Sequence, residues 1–106
     1  MKLLTKELAD RFKKVGSQDE LEGKNVLVIC KFFNPAGAGT WYATEYNPQS
    51  KCFYGYAIIH EGEWGYFSLE ELETLRFPMG LKIERDLYFK EEKFFDIARR
   101  ENISNY

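Results

Sequence analysis

The sequence predicts an α+β domain: a mostly antiparallel sheet of about five strands, with an N-terminal helix, a helix near 69–77 and a C-terminal helix. Three observations predict it. β-forming apolar runs crowd residues 25–67, separated by short turns carrying Gly, Pro and Asn. Apolar residues recur at helical spacing in three other stretches. Aromatic residues make up 17% of the 106, enough large side chains for a core without metal or disulfide. At this length one domain, residues 1–106, is expected.

The elements follow in order. Thr5 caps a first helix whose stripe is Leu4, Leu8, Phe12 and Val15, and Gly16-Ser17 ends it. Gln18 to Lys24 is a polar loop. Asn25 to Phe33 reads as a strand, and Val26 to Cys30 are apolar on both alternating faces, which places it centrally. Asn34 to Gly39 turns the chain into a second strand, Thr40–Tyr46. Asn47-Pro48-Gln49-Ser50 leads to a third, Cys52–His60, and Glu61-Gly62-Glu63 to a short strand at Trp64–Phe67. Ser68-Leu69-Glu70-Glu71 has the capping-box pattern of a helix that buries Leu69, Leu72 and Leu75 and stops at Phe77-Pro78-Met79-Gly80. Leu81–Phe89 is expected as a fifth strand. Lys90–Glu101 is expected as a final helix burying Phe94, Ile97 and Ala98.

Charge excludes some functions. Net charge is −2, so the whole chain offers no steering toward nucleic acid or an anionic membrane. Residues 2–14 are locally basic, with Lys2, Lys6, Arg11, Lys13 and Lys14 against Glu7 and Asp10. Residues 61–73 are acidic, with Glu61, Glu63, Glu70, Glu71 and Glu73 and no base, and the helix dipole accounts for much of that acidity. No apolar run approaches the roughly 20 residues of a membrane span. Met1 to Lys6 lacks the apolar stretch of a secretory signal, so a cytoplasmic location is expected.

Catalytic motifs are missing. Cys30 and Cys52 lie in apolar runs outside any C-x-x-C or Cys/His spacing, which favours two buried thiols over a disulfide. The Gly37/Gly39 loop lacks the G-K-[ST] ending of a phosphate loop and precedes a strand, so a hairpin connection is expected. His60 is the single histidine, beside Glu61 and Glu63, too few ligands for a strong metal site. No cofactor, metal or catalytic residue is expected, and no enzyme activity.

Binding candidates come from charges that interrupt apolar faces. Lys31 alternates with Leu27, Ile29 and Phe33; Glu45 with Trp41 and Ala43; Arg85 with Ile83 and Leu87. A partly desolvated charge is driven to pair or to bind, and Arg85 is expected to pair with Glu45. Trp41, Tyr46, Glu84 and Asp86 complete the candidate set. Further aromatics, Tyr42, Tyr54, Tyr56, Trp64 and Tyr66, fall on both faces of the sheet, and an exposed subset is expected to anchor a partner.

Several motifs together resemble one bacterial family, domain of unknown function 2958. They are Met1 to Leu8, Lys31-Phe32-Phe33-Asn34-Pro35, Thr40-Trp41-Tyr42-Ala43-Thr44-Glu45, Gly65 to Leu72 and Gly80 to Asp86. The resemblance runs from residue 1 to about residue 89 and leaves Lys90–Tyr106 unmatched. It implies a small accessory protein of mobile genetic elements and supplies no activity or catalytic residue. The expected function is a non-catalytic module that binds a protein partner through a sheet or hairpin edge. The alternative is a nucleic-acid-binding accessory protein using the basic first helix and exposed aromatics.

Overall fold

Helix α1 (Lys6–Val15) begins where the Thr5 hydroxyl accepts from the Leu8 amide, 3.2 Å away, and stops at Gly16, whose φ of 70° disfavours a side chain. The computed structural model describes residues 1–104 and Tyr106. After a 3₁₀ turn at Gly23–Asn25 come strands β1 (Leu27–Val28), β2 (Cys30–Phe33), β3 (Thr40–Asn47), β4 (Cys52–Ile58) and β5 (Gly62–Ser68). Helix α2 (Leu69–Thr74) is capped by Ser68, whose hydroxyl accepts from the Glu71 amide. A 3₁₀ turn at Pro78–Gly80, β6 (Glu84–Arg85), β7 (Glu92–Lys93) and α3 (Phe94–Arg100) complete the chain.

The main sheet is antiparallel with order β5-β4-β3-β2-β6, and β1 pairs β7 in a separate two-stranded ladder. Side-chain alternation builds a core on each face of the main sheet. On one face Phe12 of α1 and Leu72 of α2 join Phe32, Trp41, Ala43 and Phe53. Phe53 is fully buried, with the rings of Phe12 and Phe32 5.7 Å and 5.2 Å away. On the other, Phe94, Ile97 and Ala98 of α3 cover Val28, Tyr42 and Tyr56. The expected α+β architecture and its three helices are present.

Four elements differ from the sequence reading. The expected strand at 25–33 is broken at Ile29. That residue's amide still reaches Ala43 O at 2.9 Å, but Leu27–Val28 has turned away to pair with β7. Of the two pieces of the expected strand, β2 lies between β3 and β6 and β1 does not join the main sheet. The expected strand at 81–89 shrinks to two residues, because Asp86 closes a turn by accepting from the Tyr88 amide at 2.9 Å. The last helix starts at Phe94, since Glu92–Lys93 are held in a ladder and the Phe94 amide donates to Val26 O. Helix α2 ends at Thr74 because Leu75 is extended, at φ −62° and ψ 136°, which leaves Leu75 exposed instead of buried.

The split between β1 and β2 coincides with a bulge in β3, where the register with β4 shifts between Ala43 and Glu45. Such a split strands backbone groups inside the protein. Gln18, 7% exposed, satisfies them: its Nε2 donates to Leu27 O and Thr44 O at 3.0 and 2.9 Å, and its Oε1 accepts from the Leu27 amide at 2.7 Å. Replacement of this amide by an isosteric apolar side chain leaves three main-chain groups unpaired, each costing about 1–3 kcal/mol. Gln18→Leu is expected to lower the unfolding free energy by about 3 kcal/mol or more in urea melts, and Gln18→Glu by a similar amount at neutral pH.

Candidate functional site

The seven sequence candidates do not form one cluster, for reasons visible in the backbone. Lys31 and Asp86 do meet. The Asp86 amide donates to Lys31 O at 2.9 Å, which brings the carboxylate within 3.8 Å of Nζ. Lys31 also lies over the Tyr42 ring, 5.9 Å from its centroid. With Arg100 and Glu92, bound to each other at 2.8 and 2.9 Å, these residues border a polar hollow of about 350 Å³. The break at Ile29 removes Lys31 from the face of Leu27 and Ile29, which pack into the opposite core.

Arg85 and Glu45 do not pair. Arg85 Nη1 donates to the carbonyls of Lys2 and Leu3, and its amide to Met1 Sδ, so it fastens the N-terminal segment against β6. Glu45 instead accepts from the Gln18 amide at 3.2 Å, because the bulge at Thr44 turns it away from the face of Trp41 and Ala43. Tyr46 packs between Phe12 and Phe53, its ring 6.1 and 4.9 Å from theirs. Glu84 pairs Phe33 in the β2–β6 ladder and is half-buried. On the basic first helix, Arg11 is held by Glu91 through bonds of 2.8, 2.8 and 3.1 Å, which draws its charge away from any external anion.

Trp41 leads to an apolar hollow beside α2. Ala43, Gly55 and Gly65 are aligned across β3, β4 and β5, so this row carries almost no side chain. A Cβ on Gly55 would lie 1.9 Å from Tyr42 O, so close backbone approach requires glycine there. Next to the row, Trp41, Ala57, Phe67, Leu72 and Leu75 line a groove of about 520 Å³ that opens at β5. A Cβ on Gly65 would meet nothing within 4 Å. β5 is seven residues long and forms the outer edge of the sheet. Sequence reasoning misses this groove: Gly65 contributes no side chain to its lining, and the helix dipole accounts for much of the acidity beside it. The one available signal is glycine at position 65, inside a strand-like run.

Among the described residues no group of three or more His, Cys, Asp or Glu is placed to hold a metal, and no helix is long and apolar enough to cross a membrane. His60 is exposed in the β4–β5 turn. Cys30 is buried and Cys52 half-buried, both as free thiols.

A model of the family described as Protein of unknown function (DUF2958) matches residues 3–102, and the chain belongs to that family. The match continues through α3, beyond the residue near 89 where the motif resemblance stops. No curated protein and no solved structure matches the chain.

Arg85→Met is expected to cost about 1–2 kcal/mol by releasing residues 1–3. Combined with Glu45→Gln the losses should add, since the two side chains share no partner; a coupling above about 0.5 kcal/mol in a double-mutant cycle would contradict the geometry. Burial pushes the Cys30 thiol up to about 12, from an ordinary 9.0. The folded state therefore keeps that proton where the unfolded chain has lost it, and stability is full below pH 9 and falls as pH rises toward 12. A thiol reagent at pH 8 should modify Cys52 readily and Cys30 only on unfolding.

Proposed function

We propose that this DUF2958 member is a non-catalytic protein-binding module that receives an extended segment of its partner along the free edge of β5. One observation carries the reading: a seven-residue edge strand lies open beside an apolar groove. An edge strand offers a row of main-chain donors and acceptors, and an adjoining hollow selects the side chain that enters it. Exposed Tyr66, Ile59 and Leu75 surround the opening with apolar surface. The setting we propose is a bacterial cytoplasm and an accessory role on a mobile genetic element, which the motif resemblance supports.

The test uses peptides selected from a random display library against the immobilised protein. Gly65→Phe fills the groove from a position where an added Cβ meets no neighbour within 4 Å, so the variant is expected to fold with unfolding stability unchanged in urea melts. Selected peptides should bind the wild-type protein and lose at least tenfold in affinity toward Gly65→Phe, roughly what loss of one seated apolar side chain removes. Equal binding to both proteins, or amide-shift changes confined to α1 or α3, would overturn the reading.

A further inference from the structure

The groove has a charged rim. Glu63 and Glu71 line it, and Glu61, Glu70 and Glu73 stand close by in the chain. All five are exposed, and none forms an ion pair among the described residues. No base occurs between residues 61 and 73. Arg76, the next one, turns back onto the end of α2, where its Nη1 donates to Glu73 O and Leu75 O at 2.7 and 2.9 Å. The chain's overall −2 conceals a docking edge that is strongly acidic by itself.

Resting on the reading of β5 as a docking edge, we infer that the received segment is basic: an extended chain that seats an apolar residue in the groove and places Lys or Arg on flanking positions. Complementary charge at a rim steers encounter and rejects wrong partners more than it adds contact energy. The same carboxylates disfavour a second copy as occupant, because β5 laid against β5 brings the glutamates of both copies together. An acidic edge strand therefore excludes its own kind and admits an oppositely charged one.

Three short synthetic peptides test this, sharing an alternating Thr/Leu centre and flanked by Lys, Gln or Glu. Each is titrated by fluorescence anisotropy into the wild-type protein, Gly65→Phe and Glu63→Lys/Glu71→Lys, at low and high salt. The Lys-flanked peptide should bind roughly tenfold tighter than the Gln-flanked one, with the advantage reduced by salt. The charge-reversed variant should prefer the Glu-flanked peptide, and Gly65→Phe should bind none of them. Equal affinity for all three, sensitive to Gly65→Phe, would overturn the basic segment and leave the docking edge standing. Absence of binding by every peptide, or a wild-type dimer in sedimentation that Gly65→Phe dissolves, would overturn both.

Discussion

A single buried carboxamide sits at the point where this sheet comes apart. Gln18 closes the gap between Leu27 and the bulged Thr44 by bonding main-chain groups of both, doing for two strands what they no longer do for each other. Buried main-chain polar groups are nearly always paired, so a sheet can split in its interior only where something else takes over the pairing. The bonds explain why a loop residue is among the most buried polar groups of the molecule, beside Thr44 itself. Because the gap is filled, β1 is free to leave the main sheet and pair with β7, and the Phe94 amide follows by bonding Val26 O. The C-terminal helix is thereby held on its face of the sheet.

The split also distributes the side chains. Past the bulge, Tyr46 points into the core beneath α1 while Glu45 stays with the loop that carries Gln18. Aromatic residues then separate cleanly by face: Phe12, Phe32, Phe53 and Phe67 on one side, Tyr42, Tyr56, Trp64 and Phe94 on the other. The exception to this filling is the row Ala43–Gly55–Gly65. A side chain is forbidden at Gly55 by the approach of Tyr42 O and is absent at Gly65, which lines the groove beside α2. The groove is open at Gly65, where an added Cβ would meet nothing within 4 Å.

What the sequence discloses here is local. Thr5 and Ser68 cap their helices as their chemistry requires, and the turns bearing Asn34-Pro35 and Asn47-Pro48 join adjacent strands, because caps and turns are set by residues a few positions apart. Alternation is equally local until the strand is interrupted. One break at Ile29 and one extra residue at Thr44 shift the parity of everything beyond them, and Lys31 and Glu45 change neighbours as a result. Both interruptions depend on Gln18, nine residues from Leu27 and twenty-six from Thr44, which no short window contains. Arg85 shows the same limit: its partners are carbonyls of residues 2 and 3, at the far end of the chain. A guanidinium that binds backbone leaves no complementary residue to look for.

The two edges of the main sheet are treated oppositely, and that contrast gives the groove its meaning. At β6 the edge is only two residues long, its Arg85 amide is taken by Met1 Sδ, and the guanidinium ties down the segment that lies alongside. Shortening an edge and covering it are both ways of preventing strand addition. β5 has neither protection. It runs for seven residues, contains no proline or lysine, and passes directly into α2, whose Leu72, with Leu75 just past the helix end, borders the adjoining hollow. Its one charged side chain is Glu63, which repels a second acidic edge without blocking the main-chain groups themselves. A fold that seals one end of its sheet with its own N-terminus has the means to seal the other. β5 stays long, apolar at its side and negative at its rim, and the proposed docking of a basic strand needs both its open main-chain groups and that charge.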